Sequence, residues 1–181
     1  MMILCLCLSA KSFAADPKGL TMHRVQAGIA NENGWYEAKS TQGSFKVFLP
    51  IPFNDFTSSW QDENKDYLKA YIIGSKSIEG FKFSVTEMRK NILNQEKTIQ
   101  EFVAGFKSDQ KNKILKQEYL EYSGYPGAEL KITNNTMSAV ERIIVPVDRI
   151  FLLVVEYPTE KEKQVEALIP LFFNSLIMEN R

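Results

Sequence analysis

The chain has 181 residues and carries 22 basic and 22 acidic side chains, so its formal net charge is zero. Proteins that bind nucleic acid carry a clustered basic excess that displaces counterions from phosphates, and no such cluster stands out in this sequence. The composition therefore argues against a nucleic-acid partner. One histidine and two cysteines are too few for the usual zinc sites, so we expect no metal site.

The first 15 residues have the pattern of an export signal. A short apolar run over residues 3–8 is followed by small residues that end at Ala15, which fits a cleavage region. Both cysteines, Cys5 and Cys7, lie in this segment, so cleavage leaves a chain without thiols. We therefore expect an exported protein, either periplasmic or extracellular. The alternative interpretation is a buried N-terminal strand.

The rest of the chain is long enough for one well-filled core and short for two. We divide the sequence into a signal peptide over residues 1–15, an N-terminal extension over residues 16–33 and a single domain over residues 34–181. The extension is either ordered or a loose tail. No other apolar run approaches the roughly 20 residues of a membrane-spanning helix, so we expect no membrane span.

Alternating apolar residues predict strands in the first half of the domain. Residues 35–40 and 45–49 flank a Gln-Gly turn, which indicates a hairpin. Two prolines end the second strand, and we expect residues 51–60 to form a loop. Two further strands are predicted over residues 67–73 and 81–86.

A helix is predicted next, because Thr98 and Glu101 have capping-box spacing. One apolar stripe of this helix should pack on the sheet, and it consists of Ile99, Phe102, Val103 and Phe106. Three more strands follow, over residues 114–122, 128–133 and 139–147.

Opposite charges permit two registers between the last two of these strands. Glu129 faces Arg142 in one register, and Lys131 faces Glu141 in the other. The sequence does not choose between them.

Residues 150–155 are all apolar, which predicts a central strand covered on both faces. Phe151 and Leu153 should face one layer, while Leu152 and Val154 face the other. A terminal helix should follow, with Pro170 kinking it. Its apolar stripe consists of Val165, Leu168, Ile169, Phe172, Phe173 and Leu176.

Four short motifs resemble those of the PsbP-like superfamily. They are Phe-Lys-Val-Phe-Leu-Pro at residues 45–50, Gly-Tyr-Pro-Gly-Ala-Glu at 124–129, Asp-Arg-Ile-Phe-Leu-Leu at 148–153 and Phe-Phe-Asn-Ser-Leu at 172–176. The resemblance implies an α/β/α sandwich with a central, mainly antiparallel sheet and a C-terminal helix packed on it. Members include extrinsic subunits of photosystem II, a small Ran-binding protein and exported bacterial proteins. The property that these members share is binding to a larger partner. The resemblance therefore implies an exported, non-catalytic binding or accessory protein with a protein or other macromolecular partner.

The sequence offers no catalytic signature. His23 is the only histidine, and its place near the mature N-terminus favours a surface residue over a catalytic base. Residues 62–66 are acidic but lack the spacing and the glycine of an EF-hand loop. No phosphate-binding glycine loop or nucleophile elbow occurs, so we expect no cofactor and no catalytic residue. The competing hypothesis is a secreted hydrolase with a carboxylate site that the sequence does not reveal.

An aromatic segment is the candidate binding site. Phe53, Phe56 and Trp60 lie within eight residues after two prolines, and rigid aromatic side chains make good binding anchors. In the alternative, Phe53 and Phe56 cap the core and Trp60 is the exposed one. Tyr125 is a further candidate anchor. Two neighbouring tyrosines precede it at spacings of three, which places successive rings on opposite faces of a strand.

Overall fold

The computed structural model describes residues 19–61, 67–108, 112–134 and 136–179. The predicted signal peptide and the acidic loop at residues 62–66 lie outside these ranges. The described strands are β1 (Leu20–Ala27), β2 (Tyr36–Lys39), β3 (Phe45–Leu49), β4 (Phe53–Gln61), β5 (Tyr67–Lys76), β6 (Lys82–Arg89), β7 (Lys113–Tyr122), β8 (Tyr125–Thr133), β9 (Met137–Ile144), β10 (Arg149–Pro158) and β11 (Ile177–Met178). The helices are α1 (Gln95–Ser108), α2 (Glu162–Val165) and α3 (Leu168–Asn174), with a 3₁₀ turn at Thr159–Lys161.

Antiparallel strands dominate this α/β fold, as predicted. Eight strands form one sheet in the order β1-β4-β5-β6-β10-β9-β8-β7, and β11, β3 and β2 form a small second sheet. The predicted hairpin is confirmed as β2 paired with β3. Strand β10 lies between β6 and β9, which is the central place that its apolar sequence indicates. No described helix is long and apolar enough to cross a bilayer.

Two hydrophobic cores lie on opposite sides of the large sheet. The small-sheet core contains β3, the C-terminal helical segments and one face of β10, with the Phe45 and Phe151 rings 5.9 Å apart. The helix core contains the predicted apolar stripe of α1 packed against β8 and β9. Leu153 belongs to the first core and Leu152 to the second, so β10 is covered on both faces as predicted.

The small-sheet side differs from the predicted sandwich. We expected one kinked C-terminal helix, but the segment is divided into a 3₁₀ turn, α2 and α3, and the small sheet covers the same side. Pro170 has no N–H to donate to the carbonyl of Glu166, which interrupts the helical hydrogen bonding at this point. An α/β/α sandwich with a continuous C-terminal helix is therefore not confirmed.

Helix α1 begins one turn earlier than the capping box predicts. The Oδ1 atom of Asn94 accepts the N–H of Lys97 at 2.9 Å, and the N–H of Thr98 bonds to the carbonyl of Asn94 at 3.1 Å. Asn94 is therefore the N-cap, and Thr98 lies inside the first turn.

The predicted loop over residues 51–60 is wrong. The segment from Phe53 is β4, an inner strand paired with β1 on one side and β5 on the other. The prolines end β3 and lead directly into this new strand. Asp55 hides the strand pattern in the sequence, because a carboxylate occupies a core position and is only 1% exposed.

The N-terminal extension is ordered over the eight residues of β1, which form an edge strand. At the other end of the sheet, Glu129 and Arg142 are direct cross-strand partners, with Arg142 Nη2 and Glu129 Oε2 2.7 Å apart. This settles the register, because Lys131 is opposite Val140 and forms its ion pair with Glu162 instead.

Candidate functional site

One half of the large sheet presents an apolar surface that belongs to neither core. It lies on β1, β4, β5 and β6, which are neighbours in the sheet. We call this surface the apolar sheet face, and its side chains are those of Leu20, Met22, Phe56, Trp60, Leu68, Ile72 and Met88. None of these side chains appears in the small-sheet core or the helix core.

The strand register brings these side chains to one side of the sheet. Met22 is opposite Phe56, which is opposite Ile72 on the next strand. Trp60 follows Phe56 by four residues and is opposite Leu68, so it lies on the same side. The row of cross-strand partners that includes Ile72 continues across β6 to Leu152, which belongs to the helix core. The apolar sheet face is therefore on the same side of the sheet as α1.

Solvent reaches most of this surface. Leu20 and Met22 are each 45% exposed, and Trp60, Leu68 and Ile72 are partly exposed. Helix α1 packs on β7 and β8 at the other end of the sheet. On these four strands, the described charged side chains on this side are those of Lys76 and Lys82, which are opposite each other at one end, and Lys82 forms an ion pair with Glu156 at 2.8 Å. The middle of the apolar sheet face is uncharged.

The opposite side of β4 is anchored by an ion pair whose carboxylate is buried and whose arginine is 35% exposed. Asp55 Oδ2 accepts hydrogen bonds from Arg24 Nη2 and from the backbone N–H of Thr41, both at 2.9 Å. The guanidinium of Arg24 also stands 4.9 Å above the ring of Phe53. These contacts join β1, β4 and the turn between β2 and β3, and so they hold the strands of the apolar sheet face in place.

A second buried carboxylate anchors the same turn. Glu87 is fully buried, and its Oε2 accepts the backbone N–H of Ser44 at 2.5 Å. Its Oε1 accepts the Nε–H of Arg89 at 3.1 Å, and Arg149 lies 3.7 Å away. The two carboxylates together tie the small sheet to the large one.

The structure separates the four predicted binding residues. Phe56 and Trp60 lie together on the apolar sheet face. Phe53 is 1% exposed and lies in the small-sheet core, because its odd spacing from Phe56 turns it to the other side of β4. Tyr125 is partly buried against the small-sheet core. Phe56 is also buried, at 9% exposure, so both phenylalanines are buried as in the alternative interpretation, while a binding role for Trp60 and Tyr125 stays a prediction.

The other members of the apolar sheet face carry weaker signals in the sequence. Leu20 and Met22 alternate with polar residues, which is a strand signal in a segment that had no assigned structure. Leu68, Ile72 and Met88 lie in strands that were predicted, but their common surface depends on the order of the strands. That order is not encoded in local periodicity.

The hydrolase hypothesis requires an accessible carboxylate with a shifted pKa. The acidic group with a large pKa shift, Glu141, lies outside the apolar sheet face. Burial raises the pKa of Glu141 to about 8, and the charge of nearby Glu156 adds to the effect. Glu141 is 1% exposed between Leu130 and Val154, so its carboxyl is closed to a substrate. Within the described ranges, no group of three His, Cys, Asp or Glu residues is placed to hold a metal ion. The Nε2 atom of His23 is 2.8 Å from the hydroxyl of Thr57.

Comparisons with known proteins identify the fold and not the role. No known family profile matches the sequence. No curated protein matches it either. Cyanobacterial PsbP (CyanoP) from Synechocystis sp. PCC 6803 aligns with 86% of this chain and 97% of its own, at a TM-score of 0.51 and 9% identity. PA94 of Pseudomonas aeruginosa aligns with 81% of this chain and 99% of its own, at a TM-score of 0.50 and 10% identity.

A third structure, LpqN of Mycobacterium tuberculosis, is described as involved in cell envelope biogenesis. It aligns with 91% of this chain and 87% of its own, at a TM-score of 0.47 and 10% identity. At such identities the likeness concerns the fold alone. The chain therefore has a PsbP-like fold, as its short motifs predicted.

Proposed function

We propose that the protein is an exported binding or accessory protein that holds a protein partner on its apolar sheet face. The observation that carries this proposal is the set of apolar side chains outside both cores, all of which are exposed or partly exposed except Phe56, which is 9% exposed. Contiguous exposed apolar surface is costly in water, and such surfaces in water-soluble proteins mark interaction sites. Export rests on the signal-like pattern of residues 1–15.

The chemistry of the surface favours a protein partner. Trp, Phe and Met are enriched in the centres of protein interfaces, and charged side chains are depleted there. The apolar sheet face has both properties, with the ring of Phe56 at its middle, Trp60 near one end of the strands and Lys82 at the other end. A nucleic acid would need cations across the surface to neutralise phosphates.

The rigidity of the surface supports the same role. Its strands are inner or anchored ones, since β4 pairs on both sides and β1 is fixed through the ion pair of Arg24 with Asp55. A surface that is already ordered loses little conformational entropy when a partner binds. The partly exposed ring of Trp60 can therefore act as an anchor at low entropic cost.

The test is a double substitution at the exposed edge of the surface. Leu20→Ser with Met22→Ser removes apolar area from side chains that are each 45% exposed, so folding should be affected little. We expect recovery of the partner from an envelope extract of the native host to fall at least about tenfold, which corresponds to about 1.4 kcal/mol in affinity. Melting temperatures of both proteins are measured in parallel.

Ile78→Ser is the matched control. Ile78 is fully exposed in the turn between β5 and β6, outside the apolar sheet face. Its substitution should leave partner recovery unchanged. Equal recovery by the double variant and the wild type, with folding intact in both, would overturn the proposal.

A further inference from the structure

A separate pocket lies on the other side of the molecule, against the small sheet. Its volume is about 340 Å³, at the low end of the range of ligand pockets. The residues that line it are Asn31, Asn33, Trp35, Phe48, Leu171 and Ser175. None of them carries a charge, and none belongs to the apolar sheet face.

The loop that carries Trp35 is held in one conformation by its own hydrogen bonds. The Oδ1 atom of Asn31 accepts the backbone N–H groups of Asn33 and Trp35, both at 3.0 Å. The backbone of Asn31 also donates to the carbonyl of Trp35 at 2.8 Å and accepts from Gly34 at 2.9 Å. Gly34 has a φ of 79°, a conformation that favours glycine. This wall of the pocket is thus preformed.

The same bonds determine what the pocket offers to a ligand. Because the Oδ1 of Asn31 is engaged twice, its side chain has only the NH₂ group left to offer. The hydroxyl of Ser175 accepts the N–H of Phe48 at 2.9 Å and donates to the carbonyl of Phe172 at 2.7 Å, so it is committed to the protein. The exposed amide of Asn33 supplies both a donor and an acceptor.

We propose that this pocket binds one neutral sugar ring of the pyranose class. A pyranose has an apolar C–H face and a rim of hydroxyl groups. The rings of Trp35 and Phe48 match the apolar face, and the amides of Asn31 and Asn33 match the hydroxyl rim. The uncharged lining gives no ionic partner to an acidic or basic ligand, and the volume fits a single ring.

The test is a titration of the full chain followed by nuclear magnetic resonance. Methyl β-D-glucopyranoside is the probe, and the indole N–H signals of Trp35 and Trp60 report the two sites separately. We expect the Trp35 signal to shift in a saturable way with a midpoint in the millimolar range, while the Trp60 signal stays in place. Glucuronate tests the effect of charge, and cyclohexanol tests a ring without the hydroxyl rim.

Asn33→Ala is the decisive variant, because Asn33 is exposed and its substitution should affect folding little. Loss of its hydrogen bonds should raise the midpoint about fivefold. Asn91→Ala is the matched control, an exposed asparagine away from the pocket, and it should leave the midpoint unchanged. The proposal is overturned by no saturable shift at Trp35, by an unchanged midpoint in Asn33→Ala, or by equal binding of glucuronate or cyclohexanol.

Discussion

Glu141 is a buried acid with an incomplete set of hydrogen bonds. Its Oε1 atom has no hydrogen-bond partner, and burial raises its pKa from 4.5 to about 8. The folded protein therefore holds this proton at pH values where the unfolded chain has released it. Because the native state binds this extra proton between the two pKa values, the contribution of Glu141 to the free energy of unfolding falls as pH rises from about 4.5 to about 8.

Glu141→Gln removes this titration while keeping the shape of the side chain. We expect the stability of the variant relative to the wild type to improve by more than about 1 kcal/mol between pH 5 and pH 8. Urea denaturation at several pH values measures the difference. Glu118→Gln, at an exposed carboxyl on β7, is the control and should show no such trend. A constant difference for Glu141→Gln would contradict the assignment.

The partly buried ion pair between Arg24 of β1 and Asp55 of β4 also gives a prediction at the level of single residues. Arg24→Met leaves the carboxylate of Asp55 buried without its cation, which should cost about 2 to 4 kcal/mol of unfolding free energy. Arg24→Met combined with Asp55→Leu removes both charges and should recover much of that loss. The measurement is a double-mutant cycle by urea denaturation. If the two single effects simply add, the two side chains are not coupled in the way the structure indicates.

At the scale of elements, two residues are candidates for the N-cap of α1, namely Asn94 and the Thr98 of the predicted capping box. The side chain of Asn94 accepts the N–H of Lys97, whereas Glu101 lies 4.0 Å from Lys97 and not at a capping position. We expect Asn94→Ala to lower the free energy of unfolding by about 1 kcal/mol. Glu101→Gln should change it by less than about 0.5 kcal/mol. Thermal denaturation of both variants checks this, and the reverse order would restore the capping box as the true start of the helix.

Local periodicity predicted the elements whose buried faces are apolar. The alternation in β3 and β6, the apolar run of β10 and the stripe of α1 all correspond to buried positions. β4 escaped because the partner of its buried Asp55 is Arg24, which lies 31 residues away. The C-terminal stripe was right residue by residue, but Pro170 interrupts the helix where only a kink was expected.

For the whole molecule, the candidate site was predicted in part. The density of aromatic residues in the sequence singled out Phe56 and Trp60, which lie four residues apart on one side of β4, and their binding role stays a prediction. It also included Phe53, because without knowledge of the strand its opposite orientation was hidden. Met22 and Met88 join the same surface only through the strand order β1-β4-β5-β6. Such a surface depends on tertiary structure, and no local pattern could have predicted it.

Trp60 tests whether the apolar sheet face contributes more to binding than to folding. Trp60 is partly exposed and forms one cross-strand pair, with Leu68. Because threonine also favours strands, Trp60→Thr should lower the free energy of unfolding by only about 1 kcal/mol. Loss of an aromatic anchor should weaken partner binding by about 2 kcal/mol or more. Denaturation and quantitative binding on the same samples compare the two effects. A large loss of stability with unchanged binding would assign Trp60 to the folding core.

The central claim is that the apolar sheet face meets another protein, and site-specific photo-cross-linking tests it most directly. A benzophenone side chain is placed at Met22, which is 45% exposed on the face, or at Ile78, which is fully exposed outside it. In the native host, irradiation should yield a discrete protein adduct from position 22 and none from position 78. The absence of an adduct from position 22, or an equal yield from both positions, would contradict the claim.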